Sequence, residues 1–391
     1  MTSSVPVRTA LVAAALAAAT ALGGCGLTQS TAEPDVTAGA GQSPARTVKV
    51  TTTNAGCAVE PATVPAGPVT FQVTNVNASG VSEAYLQDGG LAVGEKENLT
   101  PGLSGSFSLL LPGGDHDYQV WCPGATTDTT PFAVTGTATE DWRDDPAQVA
   151  AVAAYKAFVN SRADAMVRAT ATFTAAVDAG RVAQAKALFT AARVPYENIE
   201  SVAETFGDLD PTIDGRIDDA PSAADFTGFH RLEQALWLTG STRGLAPVTA
   251  RLRADVADLA TRVRTTDLQP AQIANGATSL ISEVQTSKIT GEEDRYSHTD
   301  LADFRANVDG AAKAYEVLEP VLARSRPALV TEIRAQLAAT DRALATYART
   351  PGDDGSGFVD YRTVTQPERQ QLSRQVNSLA DALSKMSGSL T

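Results

Sequence analysis

Few side chains in this 391-residue chain suit soft-metal or redox chemistry: it has three Cys, three His and three Met. That scarcity excludes arrays of zinc fingers or iron–sulfur clusters, which need Cys and His repeated at set spacings. Basic side chains are also outnumbered. Against 45 Asp and Glu stand 31 Lys and Arg, for a formal net charge of −14. Neutralising phosphates needs clustered Lys and Arg, so no nucleic-acid partner is expected. Beyond the N-terminal segment, no run approaches the roughly 18 apolar residues needed to cross a bilayer. His-Glu-x-x-His, the Gly-x-Ser-x-Gly elbow and the Gly-rich phosphate loop are all missing, so no complete catalytic motif is present and an enzyme is not expected. Carboxylates are plentiful. Any metal chemistry must therefore lean on Asp and Glu, with a His or Cys used sparingly.

Residues 1–25 read as an export signal. Arg8 precedes an apolar stretch at 9–21, which is too short to span a bilayer comfortably. Leu22-Gly23-Gly24-Cys25 then resembles a bacterial lipobox, which makes Cys25 a lipid anchor and the protein extracytoplasmic, held at the cell membrane. The alternative is an ordinary cleaved signal with an incidental Cys. Residues 26–46, rich in Thr, Ala, Gly, Ser and Pro, cannot bury a core and read as a flexible tether.

Two periodicities follow. Over 47–137, short β-rich runs alternate with turn residues, with strands expected at Thr47–Thr53, Val69–Thr74, Gly105–Leu111, Asp117–Trp121 and Pro131–Thr135. This spacing predicts a small β-sandwich. From Asp145-Pro146 onward, over 146–391, apolar residues recur every three or four positions. That pattern predicts an all-α bundle of five to eight long helices.

In the β part, Cys57 and Cys122 form a pair. They can be a disulfide, thiolate ligands to a metal, or two free thiols. A blue-copper site is excluded, because it needs two His and usually a Met. This part has only His116 and no Met. Glu83, Asp88, Glu95, Glu97, Asp115 and Asp117 are available as oxygen ligands.

In the helical part, His230 and Glu233 stand at i and i+3, so on a helix both can reach one cation. Glu197, Glu200 and Glu204 are spaced along one helical stripe, while the run Asp208 to Asp219 reads as a solvated acidic face. Gly291 opens a second cluster. Glu292 and Glu293 there suit a helix N-terminus, and Asp294 with His298 makes a second i, i+4 pair.

The segments Arg193–Glu200 (RVPYENIE), Phe206–Asp219 (FGDLDPTIDGRIDD), Asp225–Glu233 (DFTGFHRLE) and Lys288–Phe304 (KITGEEDRYSHTDLADF) resemble the EfeO-type iron-uptake family. More loosely, so do Cys57, Glu83, Glu95–Gly102 (EKENLTPG) and Cys122. The resemblance covers 47–391. It implies a cupredoxin-like domain followed by an imelysin-like, peptidase-related helical domain. It also implies iron, ferrous or ferric, as the captured metal, with copper or zinc at a second site. The implied partners are a membrane iron permease (EfeU-like) and an exported haem peroxidase (EfeB-like) of an EfeUOB-type system. The implied ligands are His230 and Glu233, joined by Glu197, Glu200, Glu293, Asp294 and His298 as candidates. Cys57, Glu83, Glu97 and Cys122 are the implied β-domain set. A metallopeptidase and a cation-dependent polysaccharide binder are the alternative functions.

Overall fold

The computed structural model describes residues 46–96, 99–137, 141–218, 220, 222–286, 288–350 and 355–390. The export signal, Cys25 and almost all of the tether lie outside them, as does Glu97. The fold class is the expected one, a β-rich region over 46–135 followed by helices from 146.

The β region has ten strands among the described residues: β1 (Arg46–Thr53), β2 (Gly56–Glu60), β3 (Thr63–Pro65), β4 (Gly67–Asn75), β5 (Ala84–Asp88), β6 (Leu91–Lys96), β7 (Ser104–Leu111), β8 (Tyr118–Trp121), β9 (Thr129–Pro131) and β10 (Ala133–Thr135). One sheet runs β2-β1-β4-β7 and a second runs β6-β5-β8-β9, while β3 pairs with β10. Strand β1 pairs with β4 in parallel. Alternation sends Val48, Val50 and Thr52 of β1, with Val69, Phe71 and Val73 of β4, into one core. There Phe71 stacks on Phe107 at 5.0 Å and meets Phe132 edge-on at 5.3 Å. A disulfide joins Cys57 of β2 to Cys122, which follows β8, and so ties one sheet to the other. Strands β2, β3, β5 and β6 were not expected, because their apolar alternation is too short to stand out, and the strand expected at Pro131–Thr135 is divided between the last residue of β9 and β10.

The helices are α1 (Pro146–Asp178), α2 (Val182–Glu197), α3 (Glu200–Ala203), α4 (Asp210–Ile213), α5 (Gly228–Gln234), α6 (Ala246–Thr265), α7 (Pro270–Thr286), α8 (Asp300–Ser325), α9 (Pro327–Ala345) and α10 (Gln366–Leu383). Seven of them have 16 residues or more. Helix α1 starts as the sequence indicates, with the Asp145 carboxylate accepting from Ala147 N at 2.9 Å and Pro146 in the first turn. Among the described residues, no helix is long and apolar enough to cross a membrane.

Two glycines set the geometry of the site. Gly310 lets α8 lie on the end of α2, because a Cβ there would stand 2.3 Å from Asn198 O. Gly228 opens α5 at φ +76°, where a Cβ would stand 2.3 Å from Ile213 O. The β region packs on α7. Asn275 Nδ2 donates to Ser108 O at 3.0 Å and Ser279 Oγ donates to Glu95 Oε1 at 3.3 Å. Leu110 of β7 joins the helical core.

Candidate metal centre

Five helices and the connection between α7 and α8 converge on a buried cluster of charge. Helix α2 contributes Arg193 and Glu197, one turn apart and both fully buried. The chain breaks at Asn198–Ile199, and Glu200 starts α3. Asp214 caps the end of α4. Helix α5 carries His230 and Glu233, which are 2% and 0% exposed. Lys288 follows α7, Glu293 and Asp294 lie in the next loop, and Asp300, Asp303 and Asn307 come from the first turns of α8.

The expected His230–Glu233 pair is formed, with Nδ1 2.9 Å from Glu233 Oε2. The other Glu233 oxygen accepts from Tyr296 N at 2.9 Å, Ser297 N at 2.7 Å and Ser297 Oγ at 2.9 Å. These three donors fix the carboxylate, as supporting groups do around metal ligands. On its far side, His230 Nε2 lies 3.6 Å from Glu293 Oε1 and 3.7 Å from Asp214 Oδ1. Asp294 Oδ1 is buried with no hydrogen-bond partner.

Two resident cations thread the carboxylates. Arg193 contacts Glu197 at 2.5 Å, Glu293 at 2.8 Å, Asp303 at 3.2 Å and Asp294 at 3.6 Å, and it also pairs with Asp214. Lys288 Nζ lies 2.5 Å from Glu197 Oε2 and 2.9 Å from Glu200 Oε2. Even so, acids outnumber bases, and a buried carboxylate without a cation favours its protonated form. Burial pushes Asp294 up to about 8, against Arg193 and with help from Glu233. Burial likewise pushes Asp300 up to about 7, and desolvation pushes the half-buried Glu283 up to about 7. Glu200 and Asp303 are also raised well above the carboxylate range, first by burial. Glu293 is the exception. Burial works against its charge, yet Lys288, then His230 and Arg193, hold it well below its ordinary value. Burial and Arg193 oppose the His230 imidazolium, but Asp214, Glu233 and Glu293 raise it well above its ordinary value.

Among the described residues, ligand atoms within 4.8 Å of one another form four groups: His230/Glu233/Asp294, Asp214/His230/Glu293, Glu197/Glu200/Asp214/Glu293, and the less buried Glu200/Glu204/Glu283. One imidazole among hard carboxylate oxygens suits iron and similar borderline cations better than Cu(I).

Six expected site residues therefore meet here: His230, Glu233, Glu197, Glu200, Glu293 and Asp294. His298 does not. Residues 291–299 are turns and α8 begins only at Asp300, so Asp294 and His298 do not share a helical face. His298 sits at φ +60°, its N–H donating to Asp294 O at 2.8 Å. Desolvation and then Arg362 lower its pKa. The acidic run also divides. Asp208 and Asp218 are exposed, paired with Arg262 and Arg295. Asp214 is instead drawn inside by Arg193, and Asp210 by the Tyr196 hydroxyl, contrary to the solvated face expected of the whole run. Arg193, Lys288, Asp303 and Asn307 are buried here without any local pattern that marks them in the sequence. The Arg193–Glu197 spacing was visible, but it looks like any surface i, i+4 pair. Asp300 and Asp303 look like ordinary first-turn acids.

The β region offers less. Bonded to each other, Cys57 and Cys122 have no thiolate to offer, so the disulfide replaces the metal-ligand reading of both sulfurs. His116 pairs with Asp88 at 2.6 Å. Glu83 is raised by burial, and Glu95 is pushed up to about 8 by burial and then by Glu83. Among the described residues, no three potential ligands of this region come within reach of one ion.

A buried histidine–carboxylate cluster carried by a helical bundle is what this fold presents. The imelysin (peptidase M75) family model matches residues 151–386. The chain belongs to the imelysin family. It is 39% identical over 349 residues to proteins named "Iron uptake system component EfeO" from Escherichia coli strain K12, Shigella flexneri and Shigella sonnei, covering 88% of this chain and 91% of each relative.

Proposed function

We propose that this chain is the exported, membrane-anchored iron-binding component of an EfeUOB-type uptake system, capturing iron for a membrane permease. The observation that carries the reading is the His230–Glu233–Asp294 group. It combines a fixed carboxylate, an imidazole 2.9 Å away and a buried oxygen with no hydrogen-bond partner, inside a cluster rich in further carboxylates. The name of the relatives supports iron as the cargo. In this reading His230, Glu233 and Asp294 hold the ion, while Glu197, Glu200 and Glu293 tune its charge. Ligation requires ionised carboxylates, so uptake releases protons and weakens as pH falls.

We read the chain as a binding protein and not as a peptidase, because a peptide bond has no path to a His that is 2% exposed. Cys25 anchors it by lipid, 26–46 tethers it, and the sandwich at 47–137 is its cupredoxin-like domain. With both sulfurs in a disulfide, any second metal there is bound by oxygens such as those of Glu83 and Glu97. This weakens the copper reading more than the others. An EfeU-like permease and an EfeB-like haem peroxidase are the partners.

Titrating ferrous and ferric iron into wild type and the His230→Ala/Glu233→Ala double variant tests the site. Affinity is expected to fall at least about 10–100-fold, the cost of removing even supporting groups around a metal. Unchanged affinity in a folded double variant would sink the assignment.

A further inference from the structure

Glu197, Glu200, Asp214 and Glu293 each place an oxygen within 4.8 Å of the others, and three of the four already hold a protein cation between them. Lys288 Nζ lies 2.5 Å from Glu197 Oε2, 2.9 Å from Glu200 Oε2 and 3.6 Å from Glu293 Oε1. Its side chain is 0% exposed. An ammonium group loses its hydration there, and only the surrounding carboxylates compensate. Asn307 completes the arrangement. Its Nδ2 donates to Glu200 Oε2 at 2.9 Å and Glu197 Oε2 at 3.1 Å, while its Oδ1 is buried without a partner. Turning that amide over would offer a hard carbonyl oxygen in place of the N–H group.

We propose that Lys288 is a built-in cation occupying a latent second metal site, and that removing its charge raises by one the number of divalent ions the chain binds. Glu293 belongs both to this group and to the Asp214/His230/Glu293 group. A second ion in the Lys288 group would neighbour the ion held by His230, Glu233 and Asp294, linked to it through the 3.6 Å His230 Nε2–Glu293 Oε1 contact. A tethered ammonium compensates the same carboxylates, but it accepts no ligands at the roughly 2.1 Å a small divalent cation requires. Lys288 thus acts as a specificity-determining residue that keeps the centre mononuclear. The inference deepens the proposed metal-binding function and rests on it.

The test is the number of Mn²⁺ and anaerobic Fe²⁺ ions bound per full chain, measured by metal analysis after equilibrium dialysis. Lys288→Gln is expected to bind one more ion than wild type, and Lys288→Arg the same number as wild type. Equal numbers for wild type and a folded Lys288→Gln overturn the inference. Should Lys288→Gln be unfolded in chelator, recovery of helical circular dichroism on adding Mn²⁺ supports the inference. Failure to fold in Mn²⁺ overturns it, since the metal would then be unable to replace the ammonium. The two readings separate cleanly. If His230→Ala/Glu233→Ala leaves the wild-type ion bound but Lys288→Gln still gains one, the His230 assignment falls and the latent site stands. If the double variant loses its ion while Lys288→Gln gains none, the reverse holds.

Discussion

The β region and the helical region begin from similarly sparse inventories and use them in opposite ways. In the sandwich, Cys57 and Cys122 close on each other across 65 residues, a permanent bond that needs no further partner. In the bundle, His230 and its carboxylates are gathered around Arg193 and Lys288 with acid to spare. One region is cross-linked to be stable, whereas the other holds buried charge that an added cation would relieve. Reactive residue types alone therefore do not mark a metal site. What matters is whether their partners leave a demand unmet.

Removing the central cation should break the contrast most severely. Arg193→Met strands five buried carboxylates, and loss of one partner from a buried ion pair costs about 3–5 kcal/mol. We expect a loss at or above the top of that range in urea unfolding, partly recovered with Mn²⁺. A loss below about 1 kcal/mol would mean that these acids are held neutral and that Arg193 is incidental. Next in size is Cys57→Ser/Cys122→Ser. Freeing a loop of 65 residues removes roughly 4 kcal/mol in the chain-entropy account, in a typical range of about 2–5. Melting of the sandwich should fall while iron affinity at the His230 centre stays constant. A matching drop in iron affinity would show that the two regions are coupled.

The smallest effect is a slope. Asp294, Asp300 and Glu283, raised to about 8, 7 and 7, stay protonated in the folded chain where the unfolded chain has ionised. The folded state then binds more protons, so these groups make the metal-free protein less stable as pH rises from about 5 to 8. His230, raised by its partners, adds to the loss above its ordinary value of 6.5. Glu293, held low, contributes stability that disappears only below its ordinary 4.5, outside this window. Thermal unfolding in chelator should show a decline over this window, and saturating metal should flatten it. A rise with pH would contradict the protonated-carboxyl account.

Much of the centre was legible where it depends on local geometry. His230 and Glu233 needed only the pitch of one helix, and the strand and helix periodicities separated the two regions near residue 140. Asp214 shows the limit. In sequence it is one of a run of acids, and only Arg193, 21 residues earlier, singles it out from the exposed Asp208 and Asp218. His298 failed for a related reason, since the helix assumed beneath it starts two residues later.

By itself, then, the sequence determined what short-range periodicity can encode: the order of β region and bundle, and the His230–Glu233 pair. Only the tertiary structure decided the fate of the two sulfurs, which acids are buried, and that Arg193 and Lys288 sit among them. The Arg193–Glu293 contact spans 100 residues and the Lys288–Glu200 contact 88. Desolvation and charge sharing act through space, and no pattern along the chain records which distant groups will be enclosed together.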